Sequence, residues 1–274
     1  MDLAWTAVVV TALCAGSVTA MLLVRRWAPA GSRFQDGDRA SGVFGSLATG
    51  FSVLLGFMIF LGFSSYDTSL SGAEDEATMV AQQVETAQFL PASVSADLTG
   101  ELICYGRSVV TTEWDALSAG TMTDGTNPWG VELYRTIQTV QPRSDTAQSA
   151  YDRWMDQSSL RQQARNDRIH GAEGILPTPL WVVLYVAAGV IFVFMLFFAD
   201  SAEGALTQAV LMGSVTVVLS LSMLLLNFFD SPFHEGAGQL RPTAMDRTLA
   251  LIDAELATVG LDLTPPCDDR GRAR

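Results

Sequence analysis

Residues 42–66 read GVFGSLATGFSVLLGFMIFLGFSSY, a run with no charge and no histidine. About 20 helical residues, each rising roughly 1.5 Å, cross the hydrocarbon core of a bilayer. This stretch is long enough, and it is not alone. Residues 3–24, 176–199 and 205–229 are equally apolar and equally free of Asp, Glu, Lys, Arg and His. The four runs stand two and two around a long polar middle. They predict an all-α integral membrane protein with four transmembrane helices and an extramembrane helical bundle inserted between helices 2 and 3. The expected divisions are 1–66 (helices 1 and 2, with loop 25–41), 67–175 (the bundle), 176–229 (helices 3 and 4) and 230–274 (a short helix and a disordered tail).

Charge is excluded from those windows and crowded elsewhere, which sets this chain apart from an acidic soluble protein of similar composition. All 16 cations are Arg, against 29 acids, for a net charge of −13. Residues 67–173 hold 16 acids and 7 Arg. That balance argues against nucleic acid as a partner, because phosphate binding needs a basic surface. It permits attraction of cations. The expected partners are the lipid bilayer, further copies of the chain, and ions.

Orientation follows from arginine near the helix ends. Arg25, Arg26, Arg33 and Arg39 fall in the first connection, and no basic side chain precedes the first run. The reading is a cell-membrane protein with its first loop in the cytoplasm, and with both termini and residues 67–175 extracytoplasmic. The short connection 200–204 carries Asp200 and Glu203 but no Arg. Because charge follows the first apolar run rather than preceding it, that run reads as a retained anchor and not a cleaved signal. Cys14 lies inside it as a small filler. Cys104 and Cys267 would share the outer compartment, where a disulfide can form, but two cysteines make no framework and two free thiols are the expectation.

The middle is helical by its periodicity. Ala73, Ala77, Val80, Val84, Ala87 and Leu90 recur at steps of three and four, so helix 2 should continue into water, loosened at Gly72, and end at Pro91. A second bundle helix covers 92–118, with Leu98, Leu102, Val109 and Trp114 as core candidates. Residues 120–127 read as a loop. Asn127 as N-cap with Pro128 at the first position starts a third helix, and Ser144 or Asp145 starts a fourth that runs toward Ile169. A short helix should follow Pro242, with residues 264–274 disordered.

No catalytic signature is present: no phosphate-cradling glycine loop, no nucleophile elbow, no CxxC and no HExxH. The expectation is a protein that is not an enzyme and holds no cofactor. His170 with Glu173, and His234 with Glu235, are weak metal candidates; interfacial histidines facing water are the plainer reading. Glu74, Asp75 and Glu76, just past helix 2, could ring a pore mouth if subunits surround an axis, or could simply form a solvated face. Gly213, Thr216, Ser220 and Asn227 share one face of helix 4, as a pore lining or as a packing stripe. Asp230, Pro232 and Phe233 should turn the chain out of helix 4, because proline ends the helix there.

Several stretches carry a family resemblance. They are Gly50-Phe-Ser-Val-Leu-Leu-Gly56-Phe leading to Tyr66-Asp67, then Glu74-Asp-Glu-Ala77 and Phe89-Leu-Pro91. Tyr105 to Glu113-Trp114 and Leu176-Pro-Thr-Pro-Leu-Trp181 follow. The clearest are Leu226-Asn-Phe-Phe-Asp230-Ser-Pro-Phe233 and Gly238-Gln-Leu-Arg-Pro242. In their order and spacing the chain resembles a bacterial membrane family described as bestrophin-like, domain of unknown function 4239. The resemblance covers roughly residues 5–257 and implies a relation to bestrophins, which are oligomeric anion channels. The expected function is an oligomeric ion channel or ion-responsive assembly. The alternative is a non-conducting sensor or scaffold whose outer helical domain binds a ligand or an envelope partner.

Overall fold

The computed structural model describes residues 3–28, 30, 34, 36–121, 127–260 and 263–274. Most of the expected 120–127 loop and part of the first connection lie outside the described residues. Nine α-helices are present among those described. They are α1 (Leu3–Arg26), α2 (Gly37–Ala87), α3 (Ala92–Ser108), α4 (Trp114–Ser118), α5 (Pro128–Gln138), α6 (Asp145–His170), α7 (Thr178–Phe197), α8 (Ala205–Asp230) and α9 (Thr243–Val259). A π-helical turn, Val109–Glu113, joins α3 to α4, and a 3₁₀ turn, Gly171–Glu173, follows α6. The only extended pairing among the described residues is the isolated bridge Cys267–Ala273. The all-α expectation therefore stands, and α1, α2, α7 and α8 are each long and apolar enough to cross a membrane.

The chain divides into two compact units. The first holds residues 1–65, 174–231 and 235–238; the second holds 66–173, 232–234 and 239–274. Residues 230–274 are thus shared between the units rather than forming a separate appendage. At 51 residues, α2 is more than twice the length a bilayer needs, and it contributes to both units.

In the first unit, Phe51, Leu55, Leu184, Ile191 and Leu226 make a buried core, while Val53, Phe60 and Val186 face outward. Large apolar side chains on the outside of a helix group are ordinary where the solvent is lipid. Asp230, at the end of α8, accepts hydrogen bonds from the amides of Ile175 (2.7 Å) and Leu176 (2.9 Å) and from Trp181 Nε1 (3.2 Å). The α7 N-cap is Pro177, with no side-chain cap of its own, so the carboxylate serves the chain entering α7. At the other end, Arg25 donates to the carbonyls of Ser201 (3.1 Å) and Glu203. The turn without an arginine borrows one from α1.

In the second unit the periodic residues are where helical spacing puts them. Ala77, Val80, Val84 and Ala87 are buried with Leu98, Leu102, Val109 and Trp114. Asn127 caps α5 by accepting from the Trp129 amide at 3.0 Å, as its place before Pro128 predicts. Phe233 is buried edge-on to Trp114 at 5.5 Å, and the Leu240 amide bonds the Pro232 carbonyl at 2.9 Å.

Three expectations are corrected. Gly72 does not loosen α2, which is unbroken there. A Cβ at Gly72 would stand 2.4 Å from the Arg168 amide nitrogen, so glycine is present because α6 crosses at backbone contact. Cys104 and Cys267 are not free thiols but a disulfide across 163 residues of sequence. Residues 264–274 are not disordered. They form a hook in which Asp268 Oδ1 accepts from the amides of Arg270 (2.9 Å) and Arg272 (2.8 Å), and Arg274 N bonds Pro266 O at 3.1 Å. Local composition reads such a segment as disordered because its order comes from distant partners.

Candidate functional site

The most concentrated chemistry is a charged cluster inside the second unit. Arg161, Arg165 and Arg168 lie at i, i+4 and i+7 on α6 and share one helix face. All three are at least 95% buried. Facing them are Glu76 and Gln83 from α2, spaced seven residues apart, with Tyr105 from α3 and Glu113 at the end of the π-helical turn.

Arg168 bridges two carboxylates. Its Nε donates to Glu76 Oε2 at 2.5 Å and its Nη2 to Glu113 Oε2 at 2.5 Å. Glu113 Oε1 also accepts from Arg165 Nη2 (3.2 Å) and Asn127 Nδ2 (2.9 Å). Tyr105 donates its hydroxyl to Glu76 Oε1 at 2.5 Å, and Arg161 donates to Gln83 Oε1 at 2.6 Å. The Arg161 guanidinium lies 4.6 Å over the Tyr105 ring, a cation–π contact. Arg168 Nη1 is buried and has no hydrogen-bond partner among the described residues.

Burial would raise the Glu113 carboxyl, but Arg168 and then Arg165 overcome it and hold the group below its ordinary range. Burial works against the Arg168 charge too, yet Glu76 and Glu113 push its pKa above the usual value. Burial, then the neighbouring Glu76, pushes the Tyr105 phenol well up, so it stays a donor at neutral pH. Arg161 is pulled down by burial, with Tyr105 and Glu76 opposing. Desolvating charges costs several kcal/mol per ion, on the order of what close pairing returns, so such a network fixes geometry more than it adds stability. It holds α2, α3, α6 and the π turn in one register.

This arrangement alters the acidic-mouth expectation. Glu74 and Asp75 are exposed, but Glu76 is fully buried and belongs to the network. Adjacent acids on a helix point about 100° apart, so a run of three cannot share one surface. Among the described residues the histidines are not gathered with other potential ligands. His170 and His234 are exposed, the Glu173 side chain lies outside the described residues, and no group of three or more potential ligands occurs among those described.

The α8 stripe divides. Gly213 packs on α1, where an added Cβ would meet Cys14 Sγ at 3.4 Å. Thr216 Oγ1 lies 2.9 Å from Ser17 Oγ and 2.8 Å from the Met212 carbonyl oxygen of its own helix, within hydrogen-bond reach of both. Thr216, Ser220 and Asn227 also line a cleft of about 730 Å³ between α1, α7 and α8. The expectation missed the Arg161–Arg165–Arg168 spacing. That i, i+4, i+7 pattern, on the face that also carries Trp154, was the signal that could have found it.

The four apolar helices and the helical insertion define a multi-pass helical membrane protein. Residues 11–245 match the Bestrophin-like domain, and the chain belongs to that family. Among solved structures it is similar to point variants of a bacterial bestrophin homologue from Klebsiella pneumoniae. One is 14% identical with a TM-score of 0.69, covering 92% of this chain and 99% of that one. Another is 12% identical with a TM-score of 0.68, covering 89% and 99%. No curated protein matches.

Proposed function

We propose that copies of this chain assemble in the cell membrane around an axis to form an ion-conducting or ion-responsive channel, lined along α2. Family membership supports this, because bestrophins are oligomeric ion channels. The observation that carries it is the outward face of α2. A Cβ added at Gly42, Gly45, Gly50 or Gly56 would meet no described atom within 4 Å beyond its own stretch of helix, and Ser46, Thr49 and Ser52 are exposed beside them. Gly62 on the same helix and Gly213 on α8 do have packing neighbours. A small, hydroxyl-bearing, uncharged face left open within one subunit suits close approach by other copies and a wet path. Purified protein in liposomes is expected to pass small ions and to migrate as a homo-oligomer in mild detergent. A monomer without flux overturns this reading.

The second unit is assigned to the extracytoplasmic side, opposite the first connection. Arg25 and Arg26 end α1, Arg25 reaches the α7–α8 turn, and the second unit carries a disulfide, which persists in oxidising compartments. Compartment-reporting fusions after Arg33 and after Thr123 should give opposite signals, cytoplasmic for the first. Equal signals, or the reverse, refute the orientation.

A further inference from the structure

We propose that the Cys104–Cys267 bond is a maturation latch: its oxidation seals the hook of residues 264–274 over the π-helical turn that holds Glu113. The inference concerns the second unit alone and does not depend on conduction.

The hook lies directly on the end of α3. A Cβ at Gly271, whose φ is +70°, would stand 2.4 Å from Ser108 N and 2.8 Å from Cys104 O. Trp129 Nε1 donates to Gly271 O at 2.6 Å, Thr111 Oγ1 to Arg270 O at 3.0 Å, and Arg107 Nη1 to Asp268 O at 3.4 Å. The hook therefore grips residues 104–111 and α5 at once. The gripped stretch runs into Val109–Glu113, where the helix leaves the α register. π turns are rare and occur mostly as single turns, often at functional sites. Its last residue, Glu113, receives both Arg165 and Arg168. Gly271, Arg272 and Ala273 also wall a cavity of about 450 Å³ whose lining includes Ser108, Thr112 and Glu113. The hook is thus the detachable wall beside the hub of the charge network.

Both cysteines are fully buried once bonded. Attack by a thiolate needs access to a sulfur, so the closed bond resists exchange. The device closes once and is not a reversible switch. In closing, the two thiols become one disulfide, and their two electrons and two protons pass to a disulfide-bearing oxidant, which leaves as two thiols. Until then the hook is held by hydrogen bonds, by the Arg107–Asp269 ion pair at 3.8 Å and by the packing of Gly271, without a covalent tie to α3.

The test uses the full chain purified in mild detergent. Alkylation without reductant should label one thiol, Cys14, and mass spectrometry should find Cys104 joined to Cys267. Hydrogen exchange of amides 104–113 should then be at least about tenfold faster in Cys267→Ser than in the bonded protein, because the hook that covers them opens locally once it is untied. Exchange in α7 and α8 should be unchanged. Should Cys267→Ser fail to fold, wild-type chain purified reduced and then treated with oxidised glutathione decides the matter. Protection over 104–113 that appears only with bond formation supports the latch. Equal protection in bonded and unbonded chain, or protection regained without oxidant, overturns it.

Discussion

Arg168→Ala is expected to unfold the second unit or leave it barely stable. Arg168 bridges Glu76 and Glu113, and it is fully buried. Removing it leaves one carboxylate with Tyr105 and the other with Arg165 and Asn127, still out of water. Breaking a buried ion pair from one side costs about 3–5 kcal/mol, and a whole domain has only about 5–15 kcal/mol in reserve. Arg168→Lys should rescue little, because a single ammonium cannot reproduce the fork that bridges two acids. Denaturation followed by near-ultraviolet dichroism or hydrogen exchange in α3, α5 and α6 measures the loss. A melting shift of less than about 2 °C would refute the assignment, since a few kcal/mol moves a domain of this size further.

The same network sets a pH dependence. The folded-state pKa of Glu113 lies below its ordinary value, owing to Arg168 and Arg165 acting against burial. Its stabilising contribution is therefore fully present above the ordinary carboxylate range, near about pH 4.3, and is lost as pH falls through the lowered value. In Arg168→Ala the principal charge partner is gone and burial remains. Acidification of that variant should relieve the buried Glu113 carboxylate, so its deficit relative to wild type should narrow as pH falls through the carboxylate range.

Gly72→Ala is the second large effect. The added methyl would meet the Arg168 nitrogen at 2.4 Å, with the Ala164 oxygen and the Asp167 carbonyl carbon each at 2.8 Å. These are backbone atoms of α6 and cannot rotate away. The two helices must separate by about 1 Å, and overpacking of this kind costs about 1–3 kcal/mol. The Glu76–Arg168 pair sits one turn along the same crossing, so its bonds lengthen as well, and the total belongs at the upper end of that range. Gly189→Ala, on α7 where an added Cβ would meet no described atom within 4 Å, should instead be neutral or gain up to about 1 kcal/mol in fold stability, because glycine is the poorer helix former. Thermal melts of the two purified variants compare them. Equal melting points would show that α2 and α6 do not approach at Gly72.

Reading residues along the chain succeeded where the cause is local. Asn127 before Pro128 caps α5, and Ala77, Val80 and Val84 turn inward, because capping and helical period act within one or two turns. It failed where the cause lies across the molecule. Glu76 looks like its neighbours Glu74 and Asp75 until Arg168, 92 residues away, meets it. Gly72 looks like a flexible joint until α6 is laid across it. The hook looks unstructured until Cys267 is tied to Cys104.

The sequence by itself determined four membrane-crossing helices, an inserted all-α unit and membership of a bestrophin-like family. Length, apolarity and the absence of charge over about 20 residues are enough to choose lipid over water. Only the tertiary structure decided which polar residues are buried together and which small residues are filled. It also decided that Cys104 and Cys267 meet. A buried charge is tolerated only beside its partner, and partnership depends on distance in space, which a linear order of residues does not contain.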